Sequence, residues 1–125
     1  MNIPGNLKYT KDHEWALAEG GIATIGVTEY AQGELGDVVY VELPTVGDTV
    51  AKGDSIGTIE AVKTVADVYS PVSGEVVGIN ETLTDNSELL NKDPYGEGWI
   101  AKIKMTDNSE LDEMLNAEDY KKLIG

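Results

Sequence analysis

Ile56-Gly57-Thr58-Ile59-Glu60-Ala61-Val62-Lys63-Thr64-Val65-Ala66-Asp67-Val68-Tyr69-Ser70-Pro71 reads as two β segments meeting at a short bend. The limbs are rich in β-branched residues, and Ser70-Pro71 supplies a turn signal at the far end. Ala61-Val62-Lys63-Thr64 occupies the bend, so the spacing predicts Lys63 at the tip of a hairpin. No other lysine lies between Lys52 and Lys92.

Outward from this hairpin the β character persists. Gly74-Glu75-Val76-Val77-Gly78-Ile79 continues as a strand after Ser70-Pro71, and Gly47-Asp48 and Gly53-Asp54 mark turns upstream. Val38-Val39-Tyr40-Val41-Glu42-Leu43 is a strand stopped by Pro44. Trp15-Ala16-Leu17-Ala18 and Ile22 to Val27 flank Glu19-Gly20-Gly21 as a hairpin. A short helix is expected at 28–35, capped by Thr28 and ended by Gly36, with Tyr30, Ala31 and Leu35 on one face. Trp99 to Met105 alternates as a last strand after the loop Pro94-Tyr95-Gly96-Glu97-Gly98. Two short helices are expected at the C-terminal end. Asp107 or Ser109 caps the first, which carries Leu111, Met114 and Leu115; the second starts near Asn116 and buries Tyr120, Leu123 and Ile124. Gly57, Gly74 and Gly78 are expected at tight turns or close strand approaches. Many short strands with Gly and Asp turns point to a mainly β domain, a small barrel or sandwich.

Composition narrows the chemistry. The chain has 125 residues, enough for one domain, with a hydrophobic fraction of 41% that can fill a core. Phe is absent, so Val, Ile, Leu and Ala dominate that core. There is no cysteine and one histidine, His13, which excludes disulfides, thiol nucleophiles and multi-histidine metal centres. Nine lysines against 23 acidic residues give a net charge of −14, with no arginine. Such a chain repels nucleic-acid phosphates and anionic membranes, stays soluble and monomeric, and meets basic patches on partners quickly. No apolar run reaches membrane-spanning length. Met1-Asn2-Ile3-Pro4 reads as the native start of a cytoplasmic bacterial protein; a mitochondrial matrix protein with its transit peptide removed is the alternative.

An ordinary surface lysine does little beyond staying solvated. Lys63 differs in its expected place, where the amine projects from a rigid hairpin tip, and in its neighbours Glu60 and Asp67, one on each limb. That arrangement suits a fixed, exposed attachment point for a mobile cofactor arm.

The segment from Ile59 through Lys63 to Val77 resembles the lipoylation segment of the glycine cleavage system H protein family. The resemblance extends to Tyr9-Thr10-Lys11-Asp12-His13-Glu14-Trp15, Ala23 to Gln32, Leu35 to Val39 and Asp93 to Trp99, essentially the whole chain. Ala61 stands where the family often has Ser, and Thr64 where it often has Ala. Both replacements are small and leave lipoylation feasible.

The resemblance implies a barrel-sandwich hybrid of the lipoyl and biotinyl carrier kind spanning 1–125, with a hairpin core at about 38–105, an N-terminal β extension at 1–37 and C-terminal helices at 107–124. It implies lipoate in amide linkage to Lys63, and a carrier without catalysis of its own. A pyridoxal-phosphate glycine decarboxylase (P protein) would load the lipoyl disulfide with an aminomethyl group. A folate-dependent aminomethyltransferase (T protein) would unload it, and dihydrolipoyl dehydrogenase (L protein) would reoxidise the dithiol. A lipoate ligase or a lipoyl or octanoyl transferase would install the cofactor, with Glu60 and Asp67 as candidates for its recognition.

An aminomethyl group on sulfur is fragile, because a free nitrogen lone pair can expel the thiolate. Protonation ties up that lone pair, and a carboxylate-lined cleft that excludes water protects it. Glu14 and Asp67 are the expected grip on the ammonium, with Ser70 and Asp12 adding hydrogen bonds. His13 beside this segment is expected to be structural, and Trp15 and Trp99 to be core or loop anchors. No metal site or catalytic set is expected.

Three other kinds of carrier also use a modified lysine. A biotin carrier would surround its lysine with methionines, where Val62 and Thr64 stand here. The lipoyl domain of a 2-oxoacid dehydrogenase would have Asp before the lysine and a tethering linker. A lipoyl relay, donating its group to 2-oxoacid dehydrogenase carriers, shares the same residues and stays open on sequence.

Overall fold

The computed structural model describes residues 2–125; Met1, read above as the native start, lies outside them. Nine strands form two sheets. β1 (Lys8–Tyr9), β2 (Glu14–Glu19), β3 (Ile22–Val27), β9 (Ala101–Met105), β8 (Gly74–Ile79) and β5 (Thr49–Val50) make the larger, in that spatial order. β4 (Val38–Glu42), β6 (Ser55–Ala61) and β7 (Val65–Tyr69) make the smaller. All pairings are antiparallel.

Alternation within the strands builds the core. Ile56 and Ile59 of β6, Val68 of β7, Val76 of β8, Ile103 of β9 and Ile25 of β3 are buried, while Glu60, Glu75, Lys102 and Lys104 face solvent. The two Gly-Asp turns are built alike. The carboxylates of Asp48 and Asp54 accept from the N–H groups of Thr45 and Ala51, three residues earlier, and Gly47 and Gly53 take φ of 101° and 92°. Their N–H groups donate to Val76 and Ser70 carbonyls, so each turn pins one end of the smaller sheet to the larger. Gly57 and Gly74 are close approaches: a β-carbon there would meet the carbonyl oxygens of Glu42 and Lys104 at 2.3 and 2.0 Å.

α1 (Glu29–Leu35) is capped as expected, with the Thr28 hydroxyl accepting from the Ala31 N–H. Two four-residue helices, α2 (Thr82–Asp85) and α3 (Leu89–Lys92), were not expected; each buries one leucine, Leu83 and Leu90. At the C-terminal end the first expected helix is a 3₁₀ helix, Asn108–Glu113, with Asp107 accepting from Ser109 N–H. Its three-residue period puts Glu110 and Glu113 on one side. Glu110 accepts from the N–H and hydroxyl of Ser73, and Glu113 pairs with Lys52 at 2.9 Å. The second helix, α4 (Ala117–Ile124), buries Tyr120 and half-buries Ile124, but Leu123 is exposed, contrary to expectation. An eight-residue helix anchored by one tyrosine does not need a second apolar row inside. Among the described residues no helix is long and apolar enough to cross a membrane.

Candidate functional site

The β6–β7 hairpin closes with Ala61 N–H donating to the Thr64 carbonyl at 2.8 Å, leaving Val62 and Lys63 at the tip. Val62 N–H donates to the Asp37 carbonyl at 3.0 Å, which fastens the tip to the turn between α1 and β4. Lys63 is exposed, and its amine enters no ion pair or hydrogen bond among the described residues. Its methylene stem lies over Gly36, where a β-carbon would approach Lys63 Cε to 3.1 Å. Gly36 has φ of 78°, a conformation that favours glycine, so the same residue ends α1 and clears room for the lysine.

Asn91 holds this platform together. Its side-chain nitrogen donates to the Gly36 carbonyl at 2.8 Å and to Gln32 Oε1 at 3.0 Å, and its oxygen accepts from Val38 N–H at 2.9 Å. Sequence reasoning missed Asn91. The partners lie more than fifty residues away, and no local pattern marks them.

Two clefts share Glu14 in their linings. The smaller, about 180 Å³, runs between α1 and the β6–β7 sheet and is lined by Val27, Ala31, Leu35, Ile59 and Ala66, with Asp12, His13, Glu14, Glu34 and Asp67. Its nearest β7 residue, Ala66, stands three residues from Lys63, about 10 Å of extended chain. The larger, about 420 Å³, is lined by Tyr9, Thr10, Asp12, Glu14, Tyr69 and Ser70 among others, with the Lys52–Glu113 pair at its edge.

Glu14 is 2% exposed and shared by both clefts. Thr10 donates its hydroxyl to Oε1 at 2.7 Å, and the Tyr69 N–H donates to Oε2 at 3.2 Å. Burial pushes the carboxyl up to about 7, opposed by those two hydrogen bonds. A carboxylate has about four lone-pair sites, so Glu14 retains acceptor capacity toward the clefts.

The other expected residues divide. Asp67 is exposed on the edge strand β7 and accepts from Ser55 Oγ at 3.2 Å and from the Tyr69 hydroxyl at 3.5 Å. It joins Glu14 and Asp12 around the smaller cleft. Ser70 lines only the larger one; it is 1% exposed and donates its hydroxyl to the Val72 carbonyl at 2.6 Å, so its hydrogen serves the turn. Glu60 is exposed, sits between Tyr40 and Val65 and diagonal to Asp67 on the same sheet face, and lines neither cleft. His13 is half-buried and has φ of 70°, the one non-glycine residue with positive φ among those described. Trp15 is a core residue, its indole N–H donating to the Pro94 carbonyl at 3.0 Å. Trp99 packs at the core's edge with Lys102 Nζ 5.2 Å from its ring.

The family described as "Glycine cleavage H-protein" matches residues 7–125. The chain belongs to that family. The glycine cleavage system H protein of Staphylococcus haemolyticus is 53% identical over 125 residues, covering 100% of this chain and 99% of the relative. That of Bacteroides thetaiotaomicron is 53% identical over 124 residues, covering 99% and 98%. The crystal structure of a glycine cleavage system H protein from Mycobacterium marinum superposes with a TM-score of 0.90 at 40% identity, covering 98% of this chain and 99% of its own. The H-protein fold is thus the one expected from sequence, a mainly β barrel-sandwich hybrid with short helices. Glycine cleavage H proteins are carrier proteins of the glycine cleavage system.

Proposed function

We propose that Lys63 bears lipoate in amide linkage. On this reading the chain carries the aminomethyl unit of decarboxylated glycine from the pyridoxal-phosphate glycine decarboxylase to the folate-dependent aminomethyltransferase. It then visits dihydrolipoyl dehydrogenase for reoxidation, and a lipoate ligase or a lipoyl or octanoyl transferase installs the group. The observation that carries this reading is Lys63 itself, an exposed amine with no partner among the described residues, on a pinned hairpin tip three residues from a carboxylate-rimmed cleft.

The residues present fit such a group. Gly36 leaves space beneath the lysine stem, and the apolar walls of the smaller cleft suit a hydrocarbon arm and sulfur. When bound, lipoate supplies a disulfide that takes up two electrons together with the carried unit. Everything else falls to the chain. The hairpin presents the attachment point to successive active sites, and Val62 N–H to Asp37 holds it still.

The carboxylates of Glu14 and Asp67 accept from the ammonium of the carried unit, with Asp12 adding negative charge at the same rim. An arriving cation favours the ionised form of Glu14 and so opposes the effect of burial. Val27, Leu35 and Ile59 exclude water beside them. Ser70 shapes the turn below Glu14, and Glu60 with Asp67 marks the outer face for the attaching enzyme. A cytoplasmic monomer with an acidic surface fits a carrier that docks briefly on basic patches of several enzymes.

Reconstitution with glycine decarboxylase and labelled bicarbonate tests the function. Exchange of label into glycine with the lipoylated chain, and none with the unmodified chain, is the expected result. Equal exchange with both, or none with either, would remove the carrier role.

A further inference from the structure

Tyr120 of α4 reaches the wall of the smaller cleft. Its hydroxyl lies 2.8 Å from Thr28 Oγ1 and 2.9 Å from His13 Nδ1. Thr28 is fully buried, and its oxygen accepts the Ala31 N–H at 3.2 Å. The Thr28 hydrogen therefore needs an acceptor, and the Tyr120 oxygen is the one in reach; the opposite direction would strand a buried hydroxyl hydrogen. Direction then propagates: Thr28 donates to Tyr120, and Tyr120 donates to His13 Nδ1. His13 is left with its proton on Nε2.

The His13 backbone is fixed as tightly as its ring. Its N–H donates to Thr10, its carbonyl accepts from Thr28, and it holds a left-handed conformation that non-glycine residues rarely adopt outside constrained sites. Burial lowers the affinity of the imidazole for a second proton, with Asp12 and Glu34 opposing. Glu14 and Asp67, both acceptors, line the same cleft.

We infer that Tyr120 is a positioning residue that fixes His13 as the neutral Nε2–H tautomer in the cleft wall, giving the cleft one oriented donor among acceptors. That donor suits a lone pair on the arm, its sulfur or its amide oxygen, while the carboxylates take the ammonium; this role rests on the proposed lipoyl-lysine at Lys63. The C-terminal helix thereby becomes part of the site.

Because His13 is the single histidine, ¹⁵N ring spectra of the full unmodified chain report it without ambiguity. The expected spectrum is that of the Nε2–H tautomer, shifting toward a mixture in Tyr120→Phe, where the ring still stacks on Tyr9. In the lipoylated, aminomethyl-loaded chain, Tyr120→Phe should release formaldehyde about tenfold faster, the scale of one lost hydrogen bond. His13→Asn, which tolerates the left-handed backbone, should do the same if Tyr120→Phe does not fold. A wild-type Nδ1–H tautomer would overturn the inference, as would unchanged release in a variant whose tautomer has shifted or in His13→Asn. Absence of a lipoyl adduct on Lys63 would instead overturn the premise, leaving the tautomer result standing alone.

Discussion

Lys63 Cε lies 3.1 Å from the position a β-carbon on Gly36 would occupy, so the lysine stem rests against a residue that has no side chain. Gly36→Ala therefore meets two obstacles, the φ of 78° and the lysine. We expect a loss of about 1 kcal/mol from the backbone alone, seen as a lower urea midpoint at unchanged slope. Lipoylation should slow by more than that loss of stability explains, because the stem must leave its seat. A variant with unchanged midpoint and unchanged modification rate would contradict the contact.

Asn91 is the second support of that seat. Removing its side chain in Asn91→Ala leaves the Val38 N–H and the Gly36 carbonyl without their partner. The cost expected is about 2 kcal/mol, on the scale of orphaned backbone groups in a partly buried site. Hydrogen exchange should localise the loss, with the Val38 amide exchanging early.

Glu14 gives the protein a pH signature. Its carboxyl is raised from 4.5 to about 7 in the fold, so between those values the folded state holds more protons than the unfolded one. Stability contributed at this position is therefore highest below 4.5, falls as pH rises, and levels off above about 7. Glu14→Gln removes the titration. Its stability relative to the parent should rise across that window by up to about 3 kcal/mol. A flat difference between variant and parent over the window would contradict the buried carboxyl.

The same residue should matter to the load. Glu14→Ala and Asp67→Ala, each lipoylated and loaded, should lose formaldehyde faster than the parent while accepting lipoate normally. Glu60→Ala, at a residue that lines neither cleft, should leave release unchanged. Parent-like release from both cleft variants would reject the carboxylate grip.

Much of this was readable in the chain, for reasons particular residues show. Gly47, Gly53 and Gly36 with their Asp or cap partners are local signals, and the Val and Ile alternation of β6, β8 and β9 has the period of a half-buried sheet. The segment from Glu81 to Lys92 is polar throughout apart from Leu83 and the Leu89-Leu90 pair, too sparse to announce α2 and α3. The 3₁₀ geometry of 108–113 follows from Glu110 and Glu113 reaching Ser73 and Lys52, contacts far apart in sequence. The same holds at the site: Lys63, Glu14 and Asp67 stood in recognisable motifs, but the division of Ser70 and Asp67 between two clefts is tertiary. So is the reach of Tyr120 to His13.

The attachment of the arm is tested most directly by intact mass after co-expression with a lipoyl-attaching enzyme and lipoate. The account predicts one lipoyl adduct on the parent chain, a net charge one unit more negative on a native gel, and no adduct on Lys63→Ala. An adduct that survives in Lys63→Ala, or an unmodified parent under conditions that lipoylate a known H protein, would contradict it.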